Sequence, residues 1–283
     1  MSASTGTCTR LLIVSRNAGG VSDEVQRKLE RAFPAYAQVE WPPRHEFTRE
    51  LSDRATVLVA GGDGTIGHVA RALAGSKRRL GILPLGTYNN FSRGLKIPQR
   101  LEAAIATIRS GVNRPVTMGR INGRYFLEAA AVGMFGEAIL LGEHLKEGEF
   151  GQLGLSLRAV SGAEPFDFEV SGDLEGQGRA RSLVFTNTPS TGARMPIGRK
   201  RPTAPFLELS IGVGSSRSDI LKRMLASAVR DEHAAEDGIS FRFGTLRVRA
   251  SPRVSAVADN HRAGRTPVTV SAAPVALHVF VPG

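Results

Sequence analysis

Gly61-Gly62-Asp63-Gly64-Thr65 lies between two segments of different periodicity and indicates the fold class. The run before it, residues 55–60, is apolar and typical of a buried strand, whereas residues 66–73 have the apolar spacing of a helix. Glycines at such a turn let the backbone approach a phosphate group, and the helix N-terminus adds favourable partial charge. The stretch therefore predicts an anion-binding loop at the carboxyl end of a parallel strand.

Asp63 is the acidic residue of this loop, and its charge repels a phosphate group. We therefore expect Asp63 to act through Mg²⁺ or through a proton rather than by direct phosphate contact. The alternative is structural: a tight turn in which Asp63 complements the positive end of the helix dipole. The stretch taken alone leaves both interpretations open.

A second polar loop, Pro84-Leu85-Gly86-Thr87-Tyr88-Asn89-Asn90-Phe91-Ser92-Arg93, follows the next predicted strand, residues 80–83. Because the carboxyl ends of neighbouring parallel strands meet at one edge of a sheet, we expect the two loops to be neighbours. Thr87, Asn89 and Asn90 offer uncharged hydrogen-bonding groups to a ligand there. Alternatively, the Asn side chains bond their own backbone, as they often do in turns.

Two domains are predicted from the distribution of strand and helix patterns. Residues 11 to about 112 alternate between the two, which is typical of a parallel sheet flanked by helices. Beyond that point, short β-type runs recur between turn signals and predict a mainly antiparallel domain. The prediction is an α/β domain over 1–115 and a β-rich domain over 116–274, with the final strand, 275–283, returning to the first. The β-type runs are 124–131, 166–170, 180–187, 206–213, 239–250, 253–258 and 266–270, and helices are expected at 137–146 and 219–228.

The composition suits a globular protein with a sizeable core, since the 283 residues are 41% hydrophobic and 22% charged. There are 37 Lys and Arg against 26 Asp and Glu, so the formal net charge is +11. Such a surface attracts polyanions: nucleotides, nucleic acid or anionic lipid head groups. No basic run is interleaved with aromatic residues, so nucleic acid is not an expected partner.

The cysteine count and hydropathy bear on location. Cys8 is the only cysteine, which excludes an intramolecular disulfide and a cysteine-based metal site and fits a reducing compartment. No stretch of about 18 apolar residues occurs, so no membrane-spanning helix is expected. The predicted location is cytoplasmic, with peripheral contact at the inner membrane surface as an option.

Two basic clusters either attract an anionic membrane, at about 1 kcal/mol per residue near its surface, or form a solvated face of a basic protein. The clusters are Arg194, Arg199, Lys200 and Arg201, and Arg242, Arg247, Arg249, Arg253, Arg262 and Arg265.

The two loops, in this order and spacing, resemble the catalytic domain of diacylglycerol and sphingosine kinases, including their soluble bacterial relatives. Weaker likeness at 15–20, 122–135, 146–154 and 273–282 extends the resemblance over nearly the whole chain. It implies a nucleotide-binding α/β domain, a lipid-binding β-rich domain, and ATP and Mg²⁺ as cofactors. It further implies a set of nucleotide-binding residues and a set of catalytic residues. The first set is Gly61, Gly62, Asp63, Gly64, Thr65, Ile66, Gly67, Thr87 and Asn89, and the second is Asp63, Asp259 and His261.

The expected base position departs from the family pattern. Family members usually end the site with Leu-Asp-Gly-Glu, whose Glu is taken to deprotonate the lipid hydroxyl, whereas this chain has Ala258-Asp259-Asn260-His261. A neutral histidine can serve as a general base near pH 7, so His261 is a candidate for that role. The alternative is that His261 is an exposed turn residue.

A second departure concerns a structural Mg²⁺ that the family holds with an Asp-Asp-Gly segment. This chain has Thr203-Ala204-Pro205-Phe206 there, and Thr117 where the family has an acidic residue at the domain crossover. Ala and Pro side chains cannot ligate a hard cation. We therefore expect no metal ligands of the protein's own at that position, and a catalytic Mg²⁺ carried by ATP.

The favoured function is transfer of the ATP γ-phosphoryl group to a lipid hydroxyl such as that of diacylglycerol. One alternative is a catalytically impaired nucleotide- or lipid-binding member of the family, motivated by the lost carboxylates. Another is an NAD kinase-like enzyme, since NAD kinases share the Gly-Gly-Asp-Gly-Thr loop. The sequence does not identify the lipid. It also leaves the oligomeric state open, with a homodimer as one option.

Overall fold

The computed structural model describes residues 8–16, 22–43, 46–147, 160, 163–192, 194–212 and 240–283. For residues 142–147 it describes the backbone alone. The chain divides into two compact units, Met1–Val116 with Val275–Gly283, and Thr117–Pro274. The helix predicted at 219–228 lies outside the described residues. No described helix is long and apolar enough to cross a membrane.

The strands in chain order are β1 (Cys8–Val14), β2 (Ala37–Glu40), β3 (Leu51–Gly61), β4 (Arg79–Pro84), β5 (Val112–Ile121), β6 (Arg124–Phe126), β7 (Ala129–Gly133), β8 (Phe166–Gly172), β9 (Gly176–Ala180), β10 (Ser182–Thr186), β11 (Ser190–Thr191), β12 (Met195–Pro196), β13 (Leu207–Gly212), β14 (Ser240–Phe243), β15 (Thr245–Ser251), β16 (Ser255–Ala258), β17 (His261–Arg265) and β18 (Val268–Val281). The helices are α1 (Asp23–Ala32), α2 (Asp63–Leu73), α3 (Asn90–Gly94), α4 (Leu101–Ser110) and α5 (Met134–Glu147), with a 3₁₀ turn at Phe47–Glu50.

The first unit is built on a parallel sheet in the order β2-β1-β3-β4, followed by the end of β18. Its inner strands are apolar on both faces because a parallel sheet flanked by helices is covered on both sides. Leu12, Leu58 and Ile82 are fully buried there, as are Ile66 and Val69 of α2. The predicted α/β class is confirmed.

Among the elements of this unit that the sequence analysis missed are β2 and α3. Strand β2 reads Ala-Gln-Val-Glu, with none of its residues buried, because it is the edge strand of the sheet and needs little apolar surface. Helix α3 begins inside the second polar loop, where Asn89 adopts a left-handed conformation with φ 54° and starts the turn. Both elements lack the apolar periodicity on which sequence prediction depends.

The second unit contains two antiparallel sheets whose apolar faces form one core. One sheet has the order β14-β13-β10-β7-β16-β17, and the other consists of the first half of β18 with β15, β8 and β9. Phe185 and Leu209 from the first sheet share a core cluster with Phe168, Leu246 and Val270 from the second. The predicted antiparallel, β-rich character is confirmed.

Three strand predictions in this unit were wrong in detail. The runs 124–131 and 239–250 are each interrupted and form two strands. At each interruption the backbone N–H donates to a side-chain carboxylate instead of to a neighbouring strand. Asp259 accepts from the N–H of Glu128, and Asp173 accepts from the N–H of Gly244. In contrast, the two runs predicted at 266–270 and 275–281 form the single strand β18, which bends at Val275 with φ 58°.

Candidate functional site

Helix α2 in the first unit begins directly in the Gly61–Gly64 loop. Gly62 precedes it in extended conformation, with φ −91° and ψ −179°, and as glycine it has no side chain to cap the helix. The backbone N–H groups of the first turn therefore lack a side-chain acceptor from the capping position, which is the arrangement that binds anions at helix N-termini. Asp63 is the first helical residue and is half-buried, while Thr65 is buried within the first turn.

The two glycine loops lie against each other, as expected from their positions at neighbouring strand ends. The N–H of Leu85 donates to the carbonyl oxygen of Gly61 over 2.9 Å. A Cβ atom added to Gly86 would lie 2.5 Å from the Cα of Gly62, closer than real Cβ contacts allow. The second loop therefore needs glycine at position 86, where the two backbones meet.

Asn89 shapes the second loop from inside. Its side-chain amide donates to the carbonyl oxygen of Gly86 over 2.8 Å, and its Oδ1 accepts from the N–H of the same residue over 3.1 Å. The side chain is buried and held by its own loop, as in the alternative considered for the Asn residues. The ligand contact expected of Asn89 stays a prediction. Thr87, at the tip of this loop, is exposed.

Two further residues reach the same edge of the sheet. The N–H of Ser15 donates to the carbonyl oxygen of Ala60 at the start of the glycine loop. Trp41 follows β2, and its backbone N–H donates to the carbonyl oxygen of Val14. Its indole ring packs edge-on against His68 of α2, with ring centroids 4.8 Å apart. The sequence analysis missed Trp41, although the only tryptophan of a chain placed at a strand end is a usable signal.

Asp259 in the second unit binds backbone. Its carboxylate accepts from the N–H groups of Leu127 and Glu128, the shortest distances being 3.0 and 2.8 Å, with a third, longer contact to the N–H of Ala129. Its own N–H donates to the carbonyl oxygen of Ala129 over 2.7 Å, and its φ is 48°. The Asp259 side chain thus joins the β16–β17 turn to the start of β7.

His261 is exposed at the first position of β17, opposite Ala258. The next residue, Arg262, binds the buried carboxylate of Glu137 through two nitrogens, at 2.8 and 2.9 Å. The turn that carries His261 is therefore held from two sides, by Asp259 and by Arg262. The His261 ring itself lies at the surface of the unit.

Glu128 is a buried acid that the sequence analysis did not select. Its side chain is 9% exposed, and its Oε2 accepts from the hydroxyl of Thr191 over 2.8 Å. A usable signal was present in the sequence, because Glu128 is a charged residue between Leu127 and Ala129 in an otherwise apolar run, and a charged residue is rarely buried without a partner.

Lys200, grouped above with exposed basic residues, is only 3% exposed. Burial lowers its pKa from 10.5 to about 7, against an opposing effect of the nearby Glu208 carboxylate. Its Nζ contacts Oδ1 and the carbonyl oxygen of Asn187, whose amide donates to the carbonyl oxygen of Thr117 over 2.9 Å. A buried amine thus occupies the segment next to 203–206, where the resemblance placed a structural metal. The expectation of no protein-held metal there stays a prediction.

Comparison with known proteins bears on both units. Residues 11–121 match the family described as diacylglycerol kinase catalytic domain. Over this segment the chain is similar to the diacylglycerol kinase catalytic domain. The matched segment includes both glycine loops, so the resemblance inferred from them is confirmed.

Two relatives extend the similarity along the chain. An uncharacterized protein of Synechocystis is 26% identical over 236 residues, which cover 80% of this chain and 54% of that protein. A diacylglycerol kinase of Bacillus subtilis is 29% identical over 225 residues, 75% of this chain and 72% of that protein. The chain thus matches little more than half of the Synechocystis relative.

A solved structure supports the fold class of the chain. The crystal structure of a diacylglycerol kinase from Bacillus anthracis superposes with a TM-score of 0.72 and 20% identity. The superposition covers 97% of each chain. At this identity the likeness concerns the fold, and it confirms the α/β class with its additional β-rich part.

Proposed function

We propose that this protein is an ATP-dependent lipid kinase that transfers the γ-phosphoryl group to a lipid hydroxyl, with diacylglycerol as the first substrate to test. The observation that carries the proposal is the contact between the two glycine loops at the carboxyl edge of the parallel sheet, beside the start of α2. The match of residues 11–121 to the diacylglycerol kinase catalytic domain supports phosphoryl transfer, and the net charge of +11 supports contact with anionic lipid surfaces.

The first unit would hold the nucleotide. Backbone N–H groups of Gly61–Gly67 would bind the phosphates at the N-terminus of α2, and the exposed Thr87 would contact the ligand from the second loop. Asp63 fits a magnesium ion carried by the nucleotide, because a half-buried carboxylate at this edge offers the hard oxygen donor that Mg²⁺ prefers. The ion would neutralise charge on the phosphates.

The second unit would bind the lipid and its hydroxyl. The sequence analysis named Asp259 and His261 for orienting or deprotonating that hydroxyl. The Asp259 carboxylate accepts from the backbone N–H groups of Leu127 and Glu128, so in this proposal it would position the turn that carries His261. His261 is exposed and retains access to a substrate. Catalysis in such a site is mostly positioning and charge neutralisation.

A transfer assay tests the proposal. The protein is incubated with radiolabelled ATP, Mg²⁺ and one acceptor in each reaction. The acceptors are diacylglycerol or sphingosine in mixed micelles, and NAD in buffer. We expect label in a lipid product extracted into organic solvent. Label in NADP instead would favour the NAD kinase-like alternative. Nucleotide binding with no labelled product from any acceptor would favour a catalytically impaired binding protein.

The fluorescence of Trp41 can report nucleotide binding. Trp41 is the only tryptophan and contacts His68, which is five residues after Asp63 and thus about 7.5 Å along α2. Mg-ATP bound at the start of α2 is therefore expected to change the Trp41 fluorescence in a saturable way.

The matched control is Trp41→Phe, which should lose the signal while calorimetry still detects binding. Calorimetric binding by the parent protein without any change in its fluorescence would place the nucleotide away from this flank of α2.

A further inference from the structure

Asn187 joins three segments of the second unit. It directly follows β10 and is fully buried. Its side-chain amide donates to the carbonyl oxygens of Thr117 and Leu127 over 2.9 and 2.7 Å, and its backbone N–H donates to the carbonyl oxygen of Glu128 over 2.8 Å. The end of β10, the second half of β5 and the connection between β6 and β7 are therefore held together at this residue.

Lys200 supplies hydrogen-bond donors to the oxygen atoms of Asn187. Its Nζ contacts Oδ1 and lies 3.4 Å from the carbonyl oxygen of the same residue. The backbone beside Lys200 reaches the same place, because the carbonyl oxygen of Pro202 accepts from the N–H of Thr117 over 2.8 Å. The amine thus completes the hydrogen bonds of a buried amide, which would otherwise keep oxygen atoms without a donor.

Glu208 of β13 is a buried carboxylate close enough to interact with the charge of the Lys200 amine. Its Oε2 has no hydrogen-bond partner among the described residues, and neither has the buried hydroxyl of its cross-strand neighbour Thr186. Both oxygens face Gly198, since a Cβ added there would lie 3.0 Å from Oγ1 of Thr186 and 3.2 Å from Oε2 of Glu208. Buried oxygen atoms thus outnumber the donors here, which is typical of the surroundings of a cation.

A divalent metal ion nevertheless does not fit these residues. Mg²⁺ requires nearly octahedral oxygen coordination and is bound through carboxylates. Glu208 is a single carboxylate, and the part of the chain that the structure describes holds no cluster of three acidic, histidine or cysteine side chains. The Lys200 amine also contacts the amide oxygen of Asn187 that such an ion would use. The residues therefore suit a donor that belongs to the protein.

We propose that the Lys200 amine takes the place of a bound metal ion in the second unit, by donating to the oxygen atoms that an ion would otherwise bind. This role requires N–H donors rather than a fixed charge. The ammonium form has three donors and the neutral amine has two, so either form serves the two acceptors of Asn187. The junction at Asn187 would then hold without a divalent cation, and this role of Lys200 does not depend on the proposed kinase reaction.

Lys200→Asp tests this role, because it exchanges the amine for a metal ligand. Aspartate is the shorter side chain, and the difference leaves room for one Mg²⁺ ion with ligand distances of about 2.1 Å. Glu208 and the oxygen atoms of Asn187 would supply further hard ligands. In the absence of nucleotide, we expect saturating MgCl₂ to raise the melting temperature of Lys200→Asp by roughly 5–10 °C, since an ion that binds only the folded state stabilises it. A chelator should reverse the rise, and the parent should respond far less.

Two further variants serve as controls. Lys77→Asp makes the same charge change at an exposed lysine and should respond to MgCl₂ like the parent. Lys200→Met fills the space but has no N–H donor and no hard ligand atom. Hydrogen exchange at the backbone N–H groups of Thr117 and Asn187 should therefore become faster in Lys200→Met, with or without MgCl₂. In Lys200→Asp, exchange at the same groups should slow when MgCl₂ is added.

Three results would contradict this role of Lys200. Parent-like exchange at Thr117 and Asn187 in Lys200→Met would show that the amine does not hold the junction. A Lys200→Asp protein that MgCl₂ neither stabilises nor folds would show that the position does not accept an ion in place of the amine. A parent whose melting temperature depends on MgCl₂ and chelator as strongly as that of Lys200→Asp would show that an ion is bound in addition to the amine.

Discussion

Asp63→Ala is expected to lose lipid phosphorylation by on the order of 10²–10³-fold while keeping its fold. Asp63 is the first residue of α2 and only half-buried, so its side chain adds little to the core. Its loss removes a favourable interaction with the helix dipole, which costs about 0.3–1 kcal/mol. The large effect arises instead because the variant can no longer position the magnesium ion of the nucleotide. Circular dichroism and the transfer assay measure the two parts separately.

Asp23→Ala provides the matched control. Asp23 is likewise the first residue of a helix, α1, and it is exposed. Both variants lose a similar dipole interaction, so their stabilities should fall by similar amounts, but only Asp63→Ala should lose turnover. Parent-like turnover by Asp63→Ala would remove this residue from the mechanism and leave it as a helix-end charge.

Lys200 is expected to make the free energy of unfolding depend on pH. Its pKa is lowered from 10.5 to about 7 in the folded protein, chiefly by burial. Between these pH values the unfolded chain binds more protons than the folded one, so stability rises as the pH increases through this window. The slope from this group is about 1.4 kcal/mol per pH unit, and the whole contribution is up to about 5 kcal/mol. Below about pH 7 and above about 10.5 the contribution is constant.

Denaturant unfolding of the parent and of Lys200→Met over pH 7–10 isolates this effect. The parent should gain stability relative to Lys200→Met as the pH rises, because methionine has no proton to lose. Lys77→Met, which alters an exposed lysine, should keep the slope of the parent. Parallel curves for the parent and Lys200→Met would show that the Lys200 amine keeps its ordinary protonation in the folded protein.

The glycine loops could be predicted from sequence because their determinants are local. A buried strand, a run of glycines and a helix pattern follow one another within about 20 residues, and parallel strand ends meet at one edge. Asn89 shows the limit of that approach. The sequence did not indicate that this residue has a left-handed backbone or that its amide binds its own loop.

The second unit was less predictable because its site depends on contacts between distant residues. Asp259 binds the backbone of Glu128, 131 residues earlier in the chain, and no periodic pattern encodes such a pairing. Lys200 was assigned to a surface cluster because arginines surround it in sequence, yet it is buried through contacts with Asn187. Burial of single polar residues follows from tertiary packing, which the local sequence does not specify.

Strand β18 has a consequence for synthesis of the protein. Its end completes the parallel sheet of the first unit beside β4, through pairs such as Val279 with Leu80. The ribosome therefore makes the whole of residues 117–274 before β4 can receive this neighbour. At typical rates this takes roughly 8–30 s, during which an apolar strand edge of the nascent chain remains open to other partners. Nascent chains arrested before residue 275 should accordingly depend more on chaperones than released ones.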